Sequence, residues 1–128
     1  MKILLVEDDR NQDHLFRTAL NFLGFASGTP EVISAATAEE GLDQLQNAQP
    51  IDMAFVDIDL EGSSMNGIEM TSQIKQSYPQ TEVIVFTASS KIDDMNAAKA
   101  AGADEFIAKQ KDFDNFLLDL NMLLHPLL

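Results

Sequence analysis

The chain alternates short apolar runs with longer amphipathic segments, and it does so five times. The apolar runs, rich in Val, Ile, Leu and Phe, cover residues 2–6, 31–36, 51–57, 82–87 and 104–108. Continuous runs of this length are typical of strands that are buried on both faces of a sheet. Between the first two runs, apolar residues recur at helical spacing and form one stripe: Leu15, Phe16, Ala19, Leu20 and Leu23. The pattern predicts five strand–helix units.

Residues typical of helix ends bracket the remaining amphipathic segments. They predict helices that begin near residues 38, 91 and 113, together with one over 67–77. The helix that begins near residue 113 would face inward through Phe113, Phe116, Leu117, Leu120 and Leu124. The candidate caps are Thr37, in a capping box with Glu40, then Ser90 and Asp112, while Gly102 suits the end of the fourth helix.

Strands that alternate with helices form a parallel sheet covered by helices on both faces. A dinucleotide-binding version of this fold is disfavoured because no Gly-x-Gly-x-x-Gly sequence follows the first strand. We therefore predict an α/β, flavodoxin-like (βα)5 doubly wound sheet with strand order 2-1-3-4-5. Residues 1–128 are expected to form a single domain.

Composition narrows the classes of function. The 21 acids and 8 bases give a formal net charge of −13, which argues against direct binding to nucleic acid. The apolar runs are too short for membrane insertion. The chain has no cysteine and no visible signal peptide, so we expect a cytoplasmic protein.

Acidic residues collect where two of the predicted strands end. Glu7, Asp8 and Asp9 follow the first strand, and Asp57 and Asp59 lie at and just beyond the end of the third. Neighbouring carboxylates 4 Å apart repel by about 4 kcal/mol at an effective dielectric constant near 20. A cation or a proton must therefore lie among them, and a divalent metal with oxygen ligands meets that need.

Two further polar residues end the fourth and fifth strands, Thr87 and Lys109. They bring a hydroxyl donor and a cation to the same edge of the sheet, where ligands of open α/β sheets bind. This combination suits phosphoryl transfer, because Mg²⁺ bridges carboxylates and phosphate oxygens. Asp57 can be the nucleophile, since carboxylates form acyl phosphates.

These motifs resemble the receiver domain of two-component response regulators. The matching runs cover nearly the whole chain in the family's order: Ile3–Asp8, Val56–Asp57, Gly67, Val85–Ala88 and Ala101–Lys109. The resemblance implies that Asp57 is the phosphoacceptor and that Thr87 and Lys109 contact the phosphoryl oxygens. Phe106 would be an aromatic switch residue.

The resemblance also implies a set of Mg²⁺ ligands. Asp8 and Asp57 would bind directly, Glu7 through water and Asp59 through its backbone carbonyl. Pairing Asp8 with Asp9 instead is a second possibility. Glu7–Asp8 is preferred because Leu15 then falls at the expected helical spacing.

The partners implied are a histidine kinase or phosphotransfer protein and a downstream protein target. The domain would be no enzyme beyond self-catalysed phosphotransfer and slow self-dephosphorylation. We expect a monomer or weak homodimer, and Met1 and the end of the last helix favour a stand-alone receiver.

The chain departs from the family pattern at three places. The stretch Gly24–Pro30 is long, Gln110 stands where proline usually follows the lysine, and the loop from Asp57 to Gly67 is longer than usual. Within that loop, Ser63 and Ser64 are expected to be ordinary loop residues. Two other functions stay open. One is a docking module that is never phosphorylated. The other is a haloacid-dehalogenase-like phosphatase, because residues 57–59, Asp-Ile-Asp, match the Asp-x-Asp motif of that family.

Overall fold

Five parallel strands form one sheet in the computed structural model, which describes residues 1–48, 50–88, 91–109 and 112–128. The strands lie in the order β2-β1-β3-β4-β5, and every neighbouring pair is parallel. The predicted flavodoxin-like fold and its strand order are confirmed. Their bounds are β1 (Lys2–Val6), β2 (Glu31–Ala35), β3 (Met53–Val56), β4 (Glu82–Thr87) and β5 (Glu105–Ala108).

In the part of the chain that the structure describes, five α-helices connect or follow the strands, as predicted. They are α1 (Arg10–Phe22), α2 (Ala38–Asn47), α3 (Gly67–Ser77), α4 (Ile92–Ala100) and α5 (Phe113–Leu124), with a 3₁₀ turn over His125–Leu127. Among the described residues, no helix is both long enough and apolar enough to cross a bilayer.

The side chains of the central strands are divided between the two faces of the sheet. Ile3 and Leu5 of β1 belong to the core beneath α1 and α5, whereas Leu4 and Val6 belong to the core beneath α2 and α3. This follows from the two-residue period of a strand. Because the central strands are buried on both faces, polar groups come together beyond the strand ends.

Two helix starts differ from the sequence expectation. The Thr37 hydroxyl accepts the Glu40 N–H at 3.1 Å, but the Glu40 carboxylate accepts from Ala36 N–H at 2.9 Å. The predicted capping box is therefore only half formed, because Glu40 reaches one residue further back. A complete box, missed in the sequence, joins Asn66 and Glu69 at the start of α3.

Two of the other predicted helix ends are confirmed, whereas α4 begins at Ile92 with Lys91, and not Ser90, at its N-cap position. Asp112 caps α5 by accepting from Asp114 N–H at 3.1 Å. Gly102 follows α4 with φ +100°, and it and Ala103 donate to carbonyls of the last turn, as in a Schellman motif. Ser90 lies outside the described residues.

The long loop after β3 is attached to α2. The Ser63 hydroxyl accepts the Ala38 N–H at 3.0 Å, and Ser64 N–H donates to Glu39 Oε1 at 2.7 Å. The Ser64 hydroxyl donates to the same oxygen, and these contacts lower the pKa of Glu39. The expectation that both serines are ordinary loop residues is wrong, because they fix the loop to the first turn of α2.

Gly67, where this loop enters α3, should tolerate no side chain. A Cβ there would lie 2.0 Å from the carbonyl oxygen of Asp57. We expect Gly67→Ala to lower the free energy of unfolding by about 3 kcal/mol, because backbone must move to relieve the overlap. Gly24→Ala is the matched control, since a Cβ at Gly24 meets nothing within 4 Å. Equal urea-unfolding midpoints for both variants would contradict this packing.

Candidate functional site

The ends of β1 and β3 lie side by side and bring their acids together. Asp57 N–H donates to the carbonyl of Val6 at 3.1 Å, so Asp57 begins its loop next to Glu7. Carboxylate oxygens of Glu7, Asp8 and Asp57 lie within 4.8 Å of one another. Glu7 and Asp57 are each only 4% exposed. The structure therefore forms the acidic cluster that the strand ends predicted.

Lys109 enters this cluster from the end of β5. Its N–H donates to the carbonyl of Thr87 at 2.8 Å, which holds the residue beside the end of β4. Its Nζ lies 2.8 Å from Asp57 Oδ2 and also forms an ion pair with Glu7. The same Nζ lies 5.2 Å from the centre of the Phe86 ring, a contact that the sequence did not indicate. One ammonium group thus serves two buried carboxylates.

Burial and neighbouring charges shift the pKa values of both Glu7 and Lys109. Burial raises the pKa of Glu7 from 4.5 to about 7, although its contact with Lys109 works in the opposite direction. Burial alone would lower the pKa of Lys109, but its contacts with Asp57 and Glu7 outweigh burial and raise that pKa. Lys109 therefore stays charged, while Glu7 exchanges a proton near neutral pH.

Asp57 is held at both of its carboxylate oxygens. Oδ1 accepts the Asp59 N–H at 3.1 Å, and Oδ2 accepts from Lys109. The contact to Asp59 is an Asx-type turn, which ends β3 at Val56, one residue before the end of the predicted strand 51–57; the strand also begins two residues later than predicted, at Met53. The side chain of Asp59 itself is exposed.

The acids after β1 have separate structural positions. The Asp9 carboxylate accepts the N–H groups of Asn11 and Gln12, so it is the N-cap of α1. Glu7 and Asp8 are therefore the pair that lies beside Asp57. The cap also explains why α1 begins at Arg10.

Thr87 and Phe106 lie on the neighbouring strands. Thr87 is the last residue of β4, fully buried, and pairs in register with Ala108. Phe106 is half-buried in β5 and packs against a small apolar cluster beneath α4 that includes Ile58 and Ala98. The predicted site residues thus share one edge of the sheet, except Phe106, which lies deeper in β5.

The donor set fits a hard divalent cation. Three carboxylates lie close together, and Glu7 is buried. The Glu7 carboxylate forms an ion pair with Lys109 and lies beside Asp57. Oxygen ligands with this charge and density are those that Mg²⁺ prefers.

Comparison with known proteins agrees with this geometry. The family model of the response regulator receiver domain matches residues 3–122, so the chain belongs to that family. Receiver domains are generally regulatory phosphoacceptors rather than enzymes, and they interact with histidine kinases and downstream effectors.

Individual relatives support the same assignment. The chain is 35% identical over 109 residues to a cyclic di-GMP phosphodiesterase of Thermotoga maritima, covering 85% of this chain and 27% of that protein. It is 30% identical to the transcriptional regulatory protein ZraR of Klebsiella oxytoca, covering 93% of this chain and 25% of that protein. The chain thus spans about a quarter of the length of these two curated relatives.

A solved structure shares both fold and length. The CheY-like receiver domain protein of Methanospirillum hungatei superposes with a TM-score of 0.77 at 29% identity. The match covers 98% of this chain and 94% of that one. The similarity therefore extends over the whole sheet and all of the described helices.

The raised pKa of Glu7 predicts a pH-dependent stability in metal-free protein. Because the folded-state pKa is about 7 and the ordinary value 4.5, protonated Glu7 stabilises the fold below pH 4.5. That stability is lost as the pH rises through 7. We expect Glu7→Gln to abolish this dependence of the free energy of unfolding on pH, which amounts to at most about 3 kcal/mol in urea unfolding. Glu82→Gln, at an exposed glutamate, is the control; parallel pH profiles for wild type and Glu7→Gln would contradict the burial argument.

Proposed function

We propose that this protein is a phosphorylation-dependent switch whose phosphoacceptor is Asp57. The phosphoryl group would come from a histidine kinase or a phosphotransfer protein, with Mg²⁺ as cofactor. The observation that carries the proposal is the contact of Lys109 Nζ with Asp57 at 2.8 Å, beside the carboxylates of Glu7 and Asp8. A nucleophile, a candidate metal site and a cation for phosphate oxygens thus occupy one small volume.

Phosphotransfer needs a carboxylate oxygen to attack phosphorus while the bond to the donor breaks. The Asp59 N–H and Lys109 hold the two oxygens of Asp57 and so fix the orientation of the nucleophile. Glu7, Asp8, Asp57 and the carbonyl of Asp59 would hold Mg²⁺, which when bound neutralises charge on the phosphoryl oxygens. The Lys109 ammonium group would then pair with the phosphoryl oxygens instead of the Asp57 carboxylate. The Thr87 hydroxyl would donate a hydrogen bond to the same phosphoryl group.

The readout would begin at Thr87 and Phe106. Movement of Thr87 toward the phosphoryl group would free space for the half-buried Phe106 ring to turn inward. The surface built by α4, β5 and α5 would change with it. Turning a mostly inactive population into a mostly active one needs about 5.5 kcal/mol of bias, to which a new charge contact and a repacked ring both contribute.

The surface around β5 is suited to a protein partner. A groove of about 190 Å³ lies between α4 and β5, lined in part by Met95 and Phe106. A second groove of about 420 Å³ lies between β5 and α5. Met95 and Met122, which line these grooves, expose 37% and 70% of their surface. Exposed apolar side chains beside grooves are typical of binding surfaces, which supports a downstream protein as target.

Two other functions are weaker proposals. A docking module without phosphorylation has no need for a buried acid pair, whose desolvation is costly. In a phosphatase of the Asp-x-Asp type, the side chain of Asp59 would take part in the reaction. Here Asp59 is exposed, and its backbone N–H donates to Asp57.

Incubation with acetyl phosphate and Mg²⁺ tests the proposal. We expect intact mass spectrometry to show one added phosphoryl group that is absent in Asp57→Asn and without Mg²⁺. Lys109→Gln should lower the yield of adduct, because the developing phosphoryl charge loses its cation. An equal adduct in Asp57→Asn, or none in wild type, would contradict a phosphoacceptor at this position.

The same sample reports on the switch. Phosphorylation should change amide hydrogen exchange in β5 and α4, and Phe106→Ala should reduce that change while leaving the adduct in place. Exchange that responds equally in both proteins would refute the role of Phe106. Continuous turnover of acetyl phosphate without a stable adduct would instead favour the phosphatase.

A further inference from the structure

A polar groove opens directly beside the acidic cluster, between α1 and the end of β2. Its volume is about 500 Å³, and we call it the mouth groove. Glu7 and Asp8 belong both to this groove and to the acidic cluster. The mouth groove therefore borders the acidic cluster that contains Asp57. The polar side chains that line it are Glu7, Asp8, Arg10, Asp13, Ser34 and Glu40.

The charge of the mouth groove is unfavourable for the proposed substrate. Of its four lining carboxylates, Glu7 pairs with Lys109 and Asp13 pairs with Arg17, which leaves Asp8 and Glu40 without an ion pair among the described residues, and the chain as a whole carries −13. A phosphoryl donor such as acetyl phosphate approaches as a dianion, so the acids that attract Mg²⁺ repel the donor. A cation in the mouth groove would oppose that repulsion.

Arg10 is such a cation, and it is available. The neighbouring Arg17 pairs with Asp13 at 2.8 Å and also donates to Ser34, so its charge is already engaged. Within the described residues Arg10 forms no ion pair, and its side chain is exposed. The guanidinium of Arg10 can therefore place a positive charge over the mouth groove.

The position of Arg10 is not explained by the stability of α1. Arg10 is the first residue of that helix, where the helix dipole disfavours a positive charge. Asp9 already caps the helix, and Asp13 lies in its first turn. A neutral side chain would suit this position at least as well, so the stability of α1 does not require the charge of Arg10.

We propose that Arg10 steers dianionic phosphoryl donors to Asp57, an inference that rests on the proposed function and names its substrate class. In the step itself, a carboxylate oxygen of Asp57 bonds to phosphorus and the bond from phosphorus to the acetate oxygen breaks. Acetate leaves with that electron pair, and the acyl phosphate keeps the charge of the donor. Arg10 takes no part in bond formation and raises only the rate of encounter.

The steering role predicts opposite effects on anionic and cationic ligands. A unit charge on the order of 10 Å from a divalent ion changes its local concentration about threefold in low-salt buffer. Arg10→Gln should therefore slow phosphorylation by acetyl phosphate about threefold at saturating Mg²⁺, through the apparent KM of the donor and not the saturated rate. The same variant should bind Mg²⁺ about threefold more tightly in calorimetry. Both differences should vanish in about 1 M salt, where the Debye length is about 3 Å.

Three variants make the test specific. Arg10→Lys should behave as wild type, because it keeps the charge, and Arg10→Glu should exceed Arg10→Gln in both effects. Lys99→Gln makes the same change of net charge in the last turn of α4, away from the mouth groove, and should alter neither measurement. Thermal unfolding should show Arg10→Gln to be no less stable than wild type.

The outcomes separate this inference from the proposed function. Equal donor kinetics in wild type and Arg10→Gln, with an adduct on Asp57 in both, would overturn steering and leave the receiver function intact. Slower phosphorylation of Arg10→Gln whose difference from wild type does not change with salt would likewise overturn steering. Weaker binding of Mg²⁺ by this variant would do the same. No adduct on wild-type Asp57 under any condition would overturn the proposed function, and steering with it.

Discussion

The burial of two carboxylates beside a single ammonium group is the interaction on which the rest of the structure depends. Glu7 and Asp57 are nearly inaccessible, and Lys109 contacts both. One positive charge cannot neutralise two buried negative charges, so the metal-free site must gain a proton or a metal ion. Burial, and to a lesser extent the charge of Asp57, raises the pKa of Glu7.

The fold supplies the geometry of that cluster. Parallel neighbours β1 and β3 end at the same level, which sets Glu7 beside Asp57, and Lys109 reaches them from β5 across the end of β4. Gly67 then lets α3 begin against the backbone of Asp57. The core on both faces of the sheet keeps these strand ends rigid, and a rigid site needs little reorganisation when charge develops on a phosphoryl group.

The fold and the acidic cluster could be predicted because they depend on patterns of residue type. Buried strands read as continuous apolar runs, and the strand order then assigns Glu7, Asp57 and Lys109 to one edge. Hydrogen bonds between distant loops leave no such pattern. Ser63 and Ser64 look like ordinary loop residues until α2 is placed next to them, and Glu40 reaches Ala36 because the turn after β2 brings that N–H within range.

The roles of Arg10 and Phe86 also required three-dimensional information. Nothing in the sequence distinguishes Arg10 from a solvent-exposed helix residue, or Phe86 from any other strand residue. Only the structure shows that one lines the groove beside the acids and that the other lies beneath the Lys109 ammonium group. Proton affinity belongs to the same class, because burial and partners decide it.

Binding of Mg²⁺ to a Lys109→Met variant tests the account most directly. If Lys109 is the counter-ion that the acids use when no metal is bound, its removal should leave the metal-free protein less stable and should increase its affinity for Mg²⁺. Calorimetric titration would then give a lower dissociation constant than in wild type, and Mg²⁺ would restore much of the lost stability in urea unfolding. An unchanged or weaker affinity for Mg²⁺ would show that Lys109 and the metal do not compensate the same buried charge, and would contradict the account.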